Sequence, residues 1–253
     1  MMRAPDPSSR VPQLTICVLT YGEHPELAHR VTESIRSQCP RAEYRLIVGA
    51  NAVGHETLKF LTEKHADGDV DQLIVSPTNL GKSGMMRRMF AGVETELIWW
   101  FDDDSYITEP CAFARWLQAA TSSPGSTVLW GQAGLCEHPF VFTAGADPGA
   151  VEFVRSAPWY RGLPPPSWRP GGKGEFNLWG RGLGDGRWCF VSGGCFMIRT
   201  EAIRAMDWPD PRLFVEAEDI FLGEAVRQQG WNFTSIHPLG VAINTQPSRG
   251  VRK

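Results

Sequence analysis

The sequence predicts an α/β fold, with a mainly parallel central sheet covered by helices on both faces. Short apolar runs of strand length alternate four times with segments whose apolar residues recur every three or four positions, the pattern of amphipathic helices. The first run, Leu14 to Leu19, is rich in β-branched residues and leads into a loop, as a buried parallel strand does. The run Leu97 to Phe101 is apolar throughout, so we place it at the centre of the sheet.

The other elements follow from the same two periodicities. Pro25 stands where the first helix begins, a position that proline favours, and Leu27, Val31 and Ile35 mark its apolar face. Further along, the sequence predicts strands at 46–48, 73–75, 127–130, 189–198 and 233–236, and helices around 58–61, 85–93, 113–120 and 218–229, the last closed by Gly230.

One domain spanning residues 1–253 is expected, because this length is near the upper limit for a single hydrophobic core. Its regular pattern weakens between Glu137 and Arg187, a stretch rich in Gly and Pro. Tryptophans are concentrated there, which argues against simple disorder. They are Trp159, Trp168, Trp179 and Trp188. The rings either form a platform or lid for a ligand or pack onto the sheet.

Composition excludes several classes of protein. A net charge of -3 gives no basic field for nucleic acid, so no nucleic-acid partner is expected. No stretch of about 18 uninterrupted apolar residues is present, and Met1 to Pro12 lacks the apolar core of a signal peptide. We therefore expect a cytoplasmic protein without a transmembrane segment. The cysteines form no C-x-x-C pair, so neither a zinc knuckle nor a disulfide scaffold is indicated.

Three consecutive carboxylates, Asp102, Asp103 and Asp104, follow the central strand. The carboxyl end of a strand is where open α/β sheets bind ligands. In an extended chain Asp102 and Asp104 would share one side, with Asp103 opposite. Neighbouring carboxylates are compensated well by a hard divalent ion such as Mg²⁺ or Mn²⁺, which prefers oxygen ligands. The alternative is a solvated acidic turn or a helix cap.

A second acidic group, Glu218-Asp219, opens a predicted helix. Acids at a helix N-terminus are stabilised by the macrodipole, so a structural role is one interpretation. A general base is the other, and Asp219 is the first choice for it, with Glu218 second. His237 follows the last predicted strand and is a candidate third metal ligand, although a lone histidine is more often structural.

The order of these motifs resembles the GT-A glycosyltransferases, particularly the inverting, nucleotide-sugar-dependent enzymes of family 2. The resemblance extends from about Leu14 to His237, most of the chain. It rests on Thr20-Tyr21-Gly22, Asn79-Leu80-Gly81-Lys82-Ser83-Gly84, Trp100-Phe101-Asp102-Asp103-Asp104, Ser192-Gly193-Gly194-Cys195-Phe196-Met197-Ile198-Arg199, Glu218-Asp219 and His237.

The resemblance implies a Rossmann-like sheet, with a nucleotide-sugar-binding half at about 12–130 and an acceptor-binding half at about 131–246 that contains the Trp/Gly/Pro-rich loop 155–188. It also implies roles for particular residues. The donor would be contacted by Thr20, Tyr21, Asn51, Lys82, Asp102 and Asp103; the metal by Asp102, Asp104 and His237; the sugar or acceptor by Gly193, Gly194 and Trp188; and the acceptor proton would be taken by Asp219, with Glu218 beside it.

The implied reaction is metal-dependent transfer of a sugar, with inversion, from a nucleotide-diphosphate sugar to an unidentified acceptor, which is a saccharide, a lipid-linked molecule or a small molecule. A UDP-sugar is the first choice of donor and Mn²⁺ or Mg²⁺ the metal.

Two departures from the family pattern stand out. Val48-Gly49-Ala50-Asn51 lacks the acid that binds the base in many relatives, and Phe221 and Glu224 replace a further Asp and Arg.

Two other functions remain open at this point. The same fold could bind a nucleotide sugar without turnover, which the missing family residues allow. A nucleotidyltransferase also joins a metal to a nucleotide at the end of a parallel sheet. That class normally carries a Gly-rich basic loop after the first strand, whereas this loop reads Thr20-Tyr21-Gly22-Glu23-His24-Pro25, so we place it last.

Overall fold

The structure, a computed structural model, describes residues 13–137, 152, 154–163, 187–213 and 218–245. Its strands are β1 (Leu14–Gly22), β2 (Tyr44–Val53), β3 (Gln72–Ser76), β4 (Leu97–Asp102), β5 (Tyr106–Ile107), β6 (Thr127–Glu137), β7 (Arg187–Arg199), β8 (Asn232–Ser235) and β9 (Val241–Ala242). Its helices are α1 (Pro25–Gln38), α2 (His55–Ala66), α3 (Gly81–Ala91), α4 (Ala112–Ser122), α5 (Thr200–Met206) and α6 (Glu218–Gln228).

Seven strands form the main sheet, in the order β3-β2-β1-β4-β7-β6-β8. β1 pairs in parallel with β2 and β4, β2 with β3, and β6 with β8. Only β7, among the described strands of this sheet, runs antiparallel to its neighbours β4 and β6. The predicted α/β fold with a mainly parallel sheet is therefore confirmed, and the predicted run Leu97 to Phe101 lies at its centre.

Helices cover both faces of the sheet, as expected from the alternation of strands and helices. Along β4, Ile98 and Trp100 pack on the side of α3, α5 and α6, while Trp99 and Phe101 pack on the side of α1 and α4. All four side chains are fully buried. A strand that is buried on both faces needs no polar alternation, which is why Leu97 to Phe101 is apolar throughout.

Two elements escaped the sequence prediction because they are too short to show a periodicity. The strands β5 and β9 pair antiparallel, with Ile107 opposite Val241 and Tyr106 opposite Ala242. This small sheet brings the last described residues of the chain next to the turn that follows β4. Helix α5 was also not predicted; it begins directly after β7 and packs Ile203 and Met206 into the core.

The stem of the Trp-rich stretch is packed into the core. Trp159 is fully buried, and its ring lies against those of Trp208 and Phe221, at centroid distances of 6.5 and 6.4 Å. Of the two interpretations of the tryptophans, packing therefore holds for Trp159. Trp168 and Trp179 lie outside the described residues. In the described part of the chain, no helix is both long and apolar enough to cross a bilayer.

Helix α6 anchors that stem through a buried polar group. Glu224 accepts hydrogen bonds from Arg227 at 2.7 Å and from the Gln228 amide at 2.8 Å. The Gln228 carbonyl oxygen in turn accepts the backbone N–H groups of Arg161 and Leu163, at 3.0 and 3.1 Å. The departure of Glu224 from the family pattern thus has a structural consequence, since it ties α6 to residues 161–163.

We predict that Glu224→Ala destabilises the protein by about 3–5 kcal/mol, because it leaves Arg227 buried without its carboxylate. The Glu224 and Arg227 side chains are 2% and 12% exposed. The matched control is Glu33→Ala, which breaks the i,i+3 pair with Arg36, whose side chains are 42% and 55% exposed. Urea unfolding should show a loss below about 1 kcal/mol for this control. Equal losses for the two variants would contradict the prediction.

Candidate active site

The sequence-predicted residues meet at the carboxyl ends of β1, β2 and β4, beside two glycines of β7. Cys195 pairs with Phe101 in the sheet, so Gly194 and Gly193 continue β7 past the end of β4, where Asp102 stands. Helix α3 enters the same edge with Lys82 in its first turn. Helix α6 enters with Glu218 and Asp219 in its first turn. This is the edge at which open α/β sheets bind ligands.

Lys82 connects three of these elements. Its ammonium lies 2.8 Å from Asp102 Oδ2, 2.7 Å from Glu218 Oε1 and 2.9 Å from the carbonyl oxygen of Gly193. An ammonium has three N–H donors and no acceptor, so every donor is used. Sequence analysis predicted both carboxylates as site residues, but it gave no indication that one lysine joins them.

Gly193 uses both of its backbone groups in the site. Its carbonyl accepts from Lys82, and its N–H donates to Asp219 Oδ2 at 3.0 Å. The other carboxylate oxygen of Asp219 accepts the N–H of Ile220 at 2.9 Å. The two acids that open α6 are therefore held differently, because Glu218 binds a side-chain cation whereas Asp219 binds backbone amides.

The glycines of β7 make room for side chains of the protein itself. A Cβ atom at Gly193 would lie 2.5 Å from Glu218 Oε1 and 3.1 Å from Lys82 Nζ. A Cβ atom at Gly194 would collide with Asn244 Oδ1. The resemblance implied that these glycines admit the sugar or acceptor. In the structure the close approach that they permit is made by Glu218, Lys82 and Asn244.

The acidic triplet does not continue the strand. The N–H of Ser105 donates to the carbonyl of Asp102 at 3.0 Å, so the chain turns there and the expected alternation ends. Asp102 also accepts the indole N–H of Trp100 at 3.0 Å. Asp103 is 6% exposed and accepts the backbone N–H of Tyr21 at 3.2 Å, which fixes the loop after β1. Asp104 lies in the turn beside Asp102.

The residues expected to contact the donor differ in what they present. Thr20 and Asn51 are buried: the Thr20 hydroxyl donates to the carbonyl of Gly49, and the Asn51 amide bonds Asn79 and the backbone of Leu80 and Gly81. These two side chains hold the wall of the site in place. Tyr21 is 46% exposed and presents its ring at the same edge.

His237 lies apart from the carboxylates in the sheet, and only the backbone of Trp188 is described. His237 follows β8, which is three strands from β4 in the sheet, or about 14 Å at the usual strand spacing. Its exposed ring lies 2.9 Å from the hydroxyl of Ser235. The backbone of Trp188 pairs with Cys136 in the part of β6 and β7 remote from β4. The side chain of Trp188 lies outside the described residues.

Burial and neighbouring charges shift the pKa values of Asp102 and Lys82. Burial raises the pKa of Asp102 to about 7, and the charges of Glu218 and Asp104 raise it against the opposing effect of Lys82. Burial alone would lower the pKa of Lys82, but Asp102 and Glu218 raise it above its usual value. The lysine therefore stays charged.

The pKa values of the two acids of α6, Glu218 and Asp219, shift in opposite directions. Burial opposes ionisation of Glu218, but contact with Lys82 outweighs it and lowers the pKa of Glu218. Burial and the negative charge of Glu218 raise the pKa of Asp219, partly offset by the N–H of Gly193. A pair of carboxyl groups whose pKa values are pushed apart is the arrangement found where one acts as an acid or base and the other stays charged.

The donor chemistry of this edge fits a hard divalent cation. Asp102 and Asp104 offer carboxylate oxygens, the ligands that Mg²⁺ and Mn²⁺ prefer. Burial raises the pKa of Asp102, and the negative charges of Glu218 and Asp104 add to this effect. Among the described residues, no three His, Cys, Asp or Glu side chains are grouped to hold a metal.

Comparison with known proteins agrees with this architecture. The model of glycosyltransferase-like family 2 matches residues 12–248, and the chain therefore belongs to that family. A comparison with curated protein sequences finds no match.

Solved structures of similar fold include glycosyltransferases. The mannosyltransferase PcManGT from Pyrobaculum calidifontis, determined with GDP-Man and Mn²⁺, matches with a TM-score of 0.63 at 16% identity, over 98% of this chain and 60% of its own. TarS 1-349 from S. aureus matches with a TM-score of 0.55 at 15% identity, over 89% of this chain and 58% of its own. The same TarS fragment with UDP matches with a TM-score of 0.52 at 16% identity, over 89% of this chain and 61% of its own. The chain thus spans about three fifths of the length of these structures, and they confirm its GT-A fold.

We predict that Lys82→Met lowers the melting temperature more at pH 8 than at pH 5. Without the ammonium, Asp102 and Glu218 repel each other in a partly desolvated site, so the pKa of Asp102 rises further above its unfolded value of about 3.9, and the pKa of Glu218, which Lys82 lowers in the wild type, rises above its unfolded value of about 4.3. A carboxyl group with a raised folded-state pKa costs stability as pH rises from the unfolded to the folded value. Thermal unfolding at both pH values measures the effect.

The control is Lys64→Met, which removes a lysine that pairs with a single carboxylate, Asp69, at 2.9 Å. Its loss of melting temperature should be similar at both pH values, since, among the described residues, only one carboxylate loses its partner and no second acid is left to repel it. A Lys82→Met loss that is the same at pH 5 and pH 8 would show that the lysine does not compensate the two acids.

Proposed function

We propose that this chain is a metal-dependent glycosyltransferase that moves a sugar, with inversion, from a nucleotide-diphosphate donor to an acceptor hydroxyl. One observation carries the proposal. Asp219 has a raised pKa and lies beside Glu218, which Lys82 holds in its charged form, at the edge of the sheet that also carries Asp102 and Asp104. A candidate base and a cation-binding edge therefore adjoin in a chain of glycosyltransferase-like family 2.

The chemistry assigned to each residue follows from its surroundings. Asp219 accepts the proton of the acceptor hydroxyl as that oxygen attacks the anomeric carbon, since its carboxylate is held by backbone amides and has a basicity above that of an ordinary aspartate. Glu218 remains ionised against Lys82, and the backbone N–H groups of Gly193 and Ile220 hold Asp219 in place. Asp102 and Asp104 would hold a divalent ion, which would offset charge on the departing nucleotide diphosphate. A single displacement of this kind inverts the anomeric centre.

The chemical class of the donor can be proposed more closely than that of the acceptor. PcManGT was solved with GDP-Man and TarS with UDP, which supports a nucleotide-diphosphate sugar in general. We keep a UDP-sugar as the first choice. Tyr21 is the donor-side residue with an exposed ring for the base or ribose. The acceptor, bound by the second half of the chain, is a saccharide, a lipid-linked molecule or a small molecule, and a cytoplasmic location stays a prediction.

The donor site is tested by calorimetric titration of UDP, GDP, dTDP and CDP into the full chain, with Mn²⁺ and again with EDTA. We predict that one nucleotide binds in the presence of Mn²⁺ and that binding is lost with EDTA and in Asp104→Ala, because the metal links the diphosphate to that carboxylate. Asp67→Ala, an exposed aspartate after α2, is the control and should bind as wild type does. Folded protein that binds no nucleotide in either condition would overturn the proposal.

We predict that Asp219→Asn keeps nucleotide binding within about twofold but lowers release of nucleotide from the matching nucleotide sugar by about 10²- to 10⁴-fold. The amide still accepts the N–H of Gly193 but takes no proton, so chemistry is lost while the donor contacts stay. Calorimetry and a coupled nucleotide-release assay with a panel of acceptors measure the two effects. A variant with wild-type turnover would exclude Asp219 as the base.

The raised pKa of Asp219 also predicts a pH dependence. A base works only when deprotonated, so kcat/KM should fall on the acid side, with a midpoint above the value of about 3.9 for an ordinary aspartate. Asp219→Asn should lack this limb in its residual activity. The pH profile is measured between pH 4 and pH 8, and a rate that is constant down to pH 4 would contradict the assignment.

A further inference from the structure

We propose that Asn244, rather than His237, supplies the third protein oxygen or nitrogen ligand to the divalent ion that Asp102 and Asp104 bind. The inference rests on the metal site of the proposed function. It is carried by where the structure places the end of the described chain, by the conformation of Asn244 and by the lack, among the described residues, of a hydrogen-bond partner for its side-chain amide.

The path of the chain separates His237 from the acidic turn and then returns to it. After His237, the carbonyl of Leu239 accepts the indole N–H of Trp116 at 2.9 Å, which fixes the chain against α4. Strand β9 then pairs with β5, which follows the acidic turn directly. The two strands are antiparallel, so the residues that follow β9 lie opposite the residues that precede β5, which include Asp104.

Backbone contacts confirm that this register continues past β9. The N–H of Asn244 donates to the hydroxyl of Ser105 at 3.3 Å. Both the N–H and the hydroxyl of Thr245 donate to the carbonyl of Asp104, at 3.1 and 2.7 Å. Asn244 is therefore held beside the acidic turn by hydrogen bonds on both sides of it.

The side chain of Asn244 points to the end of β4. A Cβ atom on Gly194 would collide with Asn244 Oδ1, so the amide lies against that glycine. Gly194 adjoins Cys195, which pairs with Phe101, the residue before Asp102. Asn244 has a left-handed backbone with φ of 51°, which asparagine tolerates better than most residues. Backbone and side chain together direct the amide to the edge that holds Asp102.

The amide is also free to bind. Among the described residues, no hydrogen bond is made by the Asn244 side chain, whereas the ring of His237 is engaged with the hydroxyl of Ser235. An asparagine carbonyl oxygen is an ordinary ligand for a hard divalent ion, and it adds no charge to a site already rich in carboxylates. Asn244 thus meets the positional and the chemical requirement that His237, three strands away, does not.

The test is Mn²⁺ binding itself, measured without turnover by the loss of the free-ion electron paramagnetic resonance signal. Full-length wild type, Asn244→Gly, Asn244→Asp, His237→Ala and Asp104→Ala are titrated with Mn²⁺, alone and with the nucleotide that binds in calorimetry. Glycine is the chosen deletion because it accepts the left-handed backbone, so that loss of the amide is separated from strain. Thermal unfolding confirms that each variant is folded.

We expect Asn244→Gly to weaken Mn²⁺ binding about tenfold or more, Asn244→Asp to restore it, and His237→Ala to leave it within about twofold. If Asp104→Ala abolishes binding but Asn244→Gly does not change it, the inference fails while the proposed metal site stands. Weakening by His237→Ala alone would assign the ligand to His237. No binding of Mn²⁺ to wild type in either condition would overturn the inference and the metal dependence together.

Discussion

The site depends on the ammonium of Lys82, which holds three acceptors from three separate parts of the fold: Asp102 at the end of β4, Glu218 at the start of α6 and the carbonyl of Gly193 in β7. These segments are far apart in sequence, and each is brought to the edge by its own packing in the core. A cation with three fixed donors sets their spacing, because none of the three can shift without leaving a donor unsatisfied in a partly desolvated place.

Hydrogen bonds to the backbone, rather than to other side chains, fix the position of Asp219. Gly193 donates to Asp219 through its N–H, and its carbonyl accepts from Lys82. The same residue of β7 therefore positions both the proposed base, Asp219, and the ammonium of Lys82. β7 is antiparallel to both of its neighbours and can therefore run past the end of β4 into the site. Helix α6 is fixed at its other end by the buried Glu224 group. The base is thus positioned on a helix that is restrained at both termini.

Sequence reasoning predicted the fold, and several of the residues that it proposed for the site lie at one edge of the sheet, but it did not predict the connections between them. Strands such as β1 and β4, and helices such as α1, show clear periodicity because burial on one or both faces dictates their residues. The two-residue strands β5 and β9 have no periodicity, and so the return of Asn244 to the acidic turn could not be predicted. Expecting His237 as a ligand followed from its place after the last predicted strand. The family resemblance assigned Lys82 to the donor. Nothing in the spacing of charged residues shows that a lysine in α3 reaches an acid in α6.

The electrostatic balance explains why such a site is suited to a diphosphate and a metal together. Among the described residues, the carboxyl groups of Asp102, Glu218 and Asp219 outnumber the one ammonium beside them, that of Lys82. Burial raises the pKa values of Asp102 and Asp219, and this imbalance of charge adds to the effect. A diphosphate alone would add negative charge and meet repulsion, whereas a divalent ion alone relieves the imbalance. In the proposed reaction, Asp102 and Asp104 would hold an ion that offsets the charge of the diphosphate. Because Lys82 also binds Glu218 and Asp219 is held by the N–H of Gly193, the acids of α6 would stay in place while the donor binds, and the proposed base would keep its proton affinity.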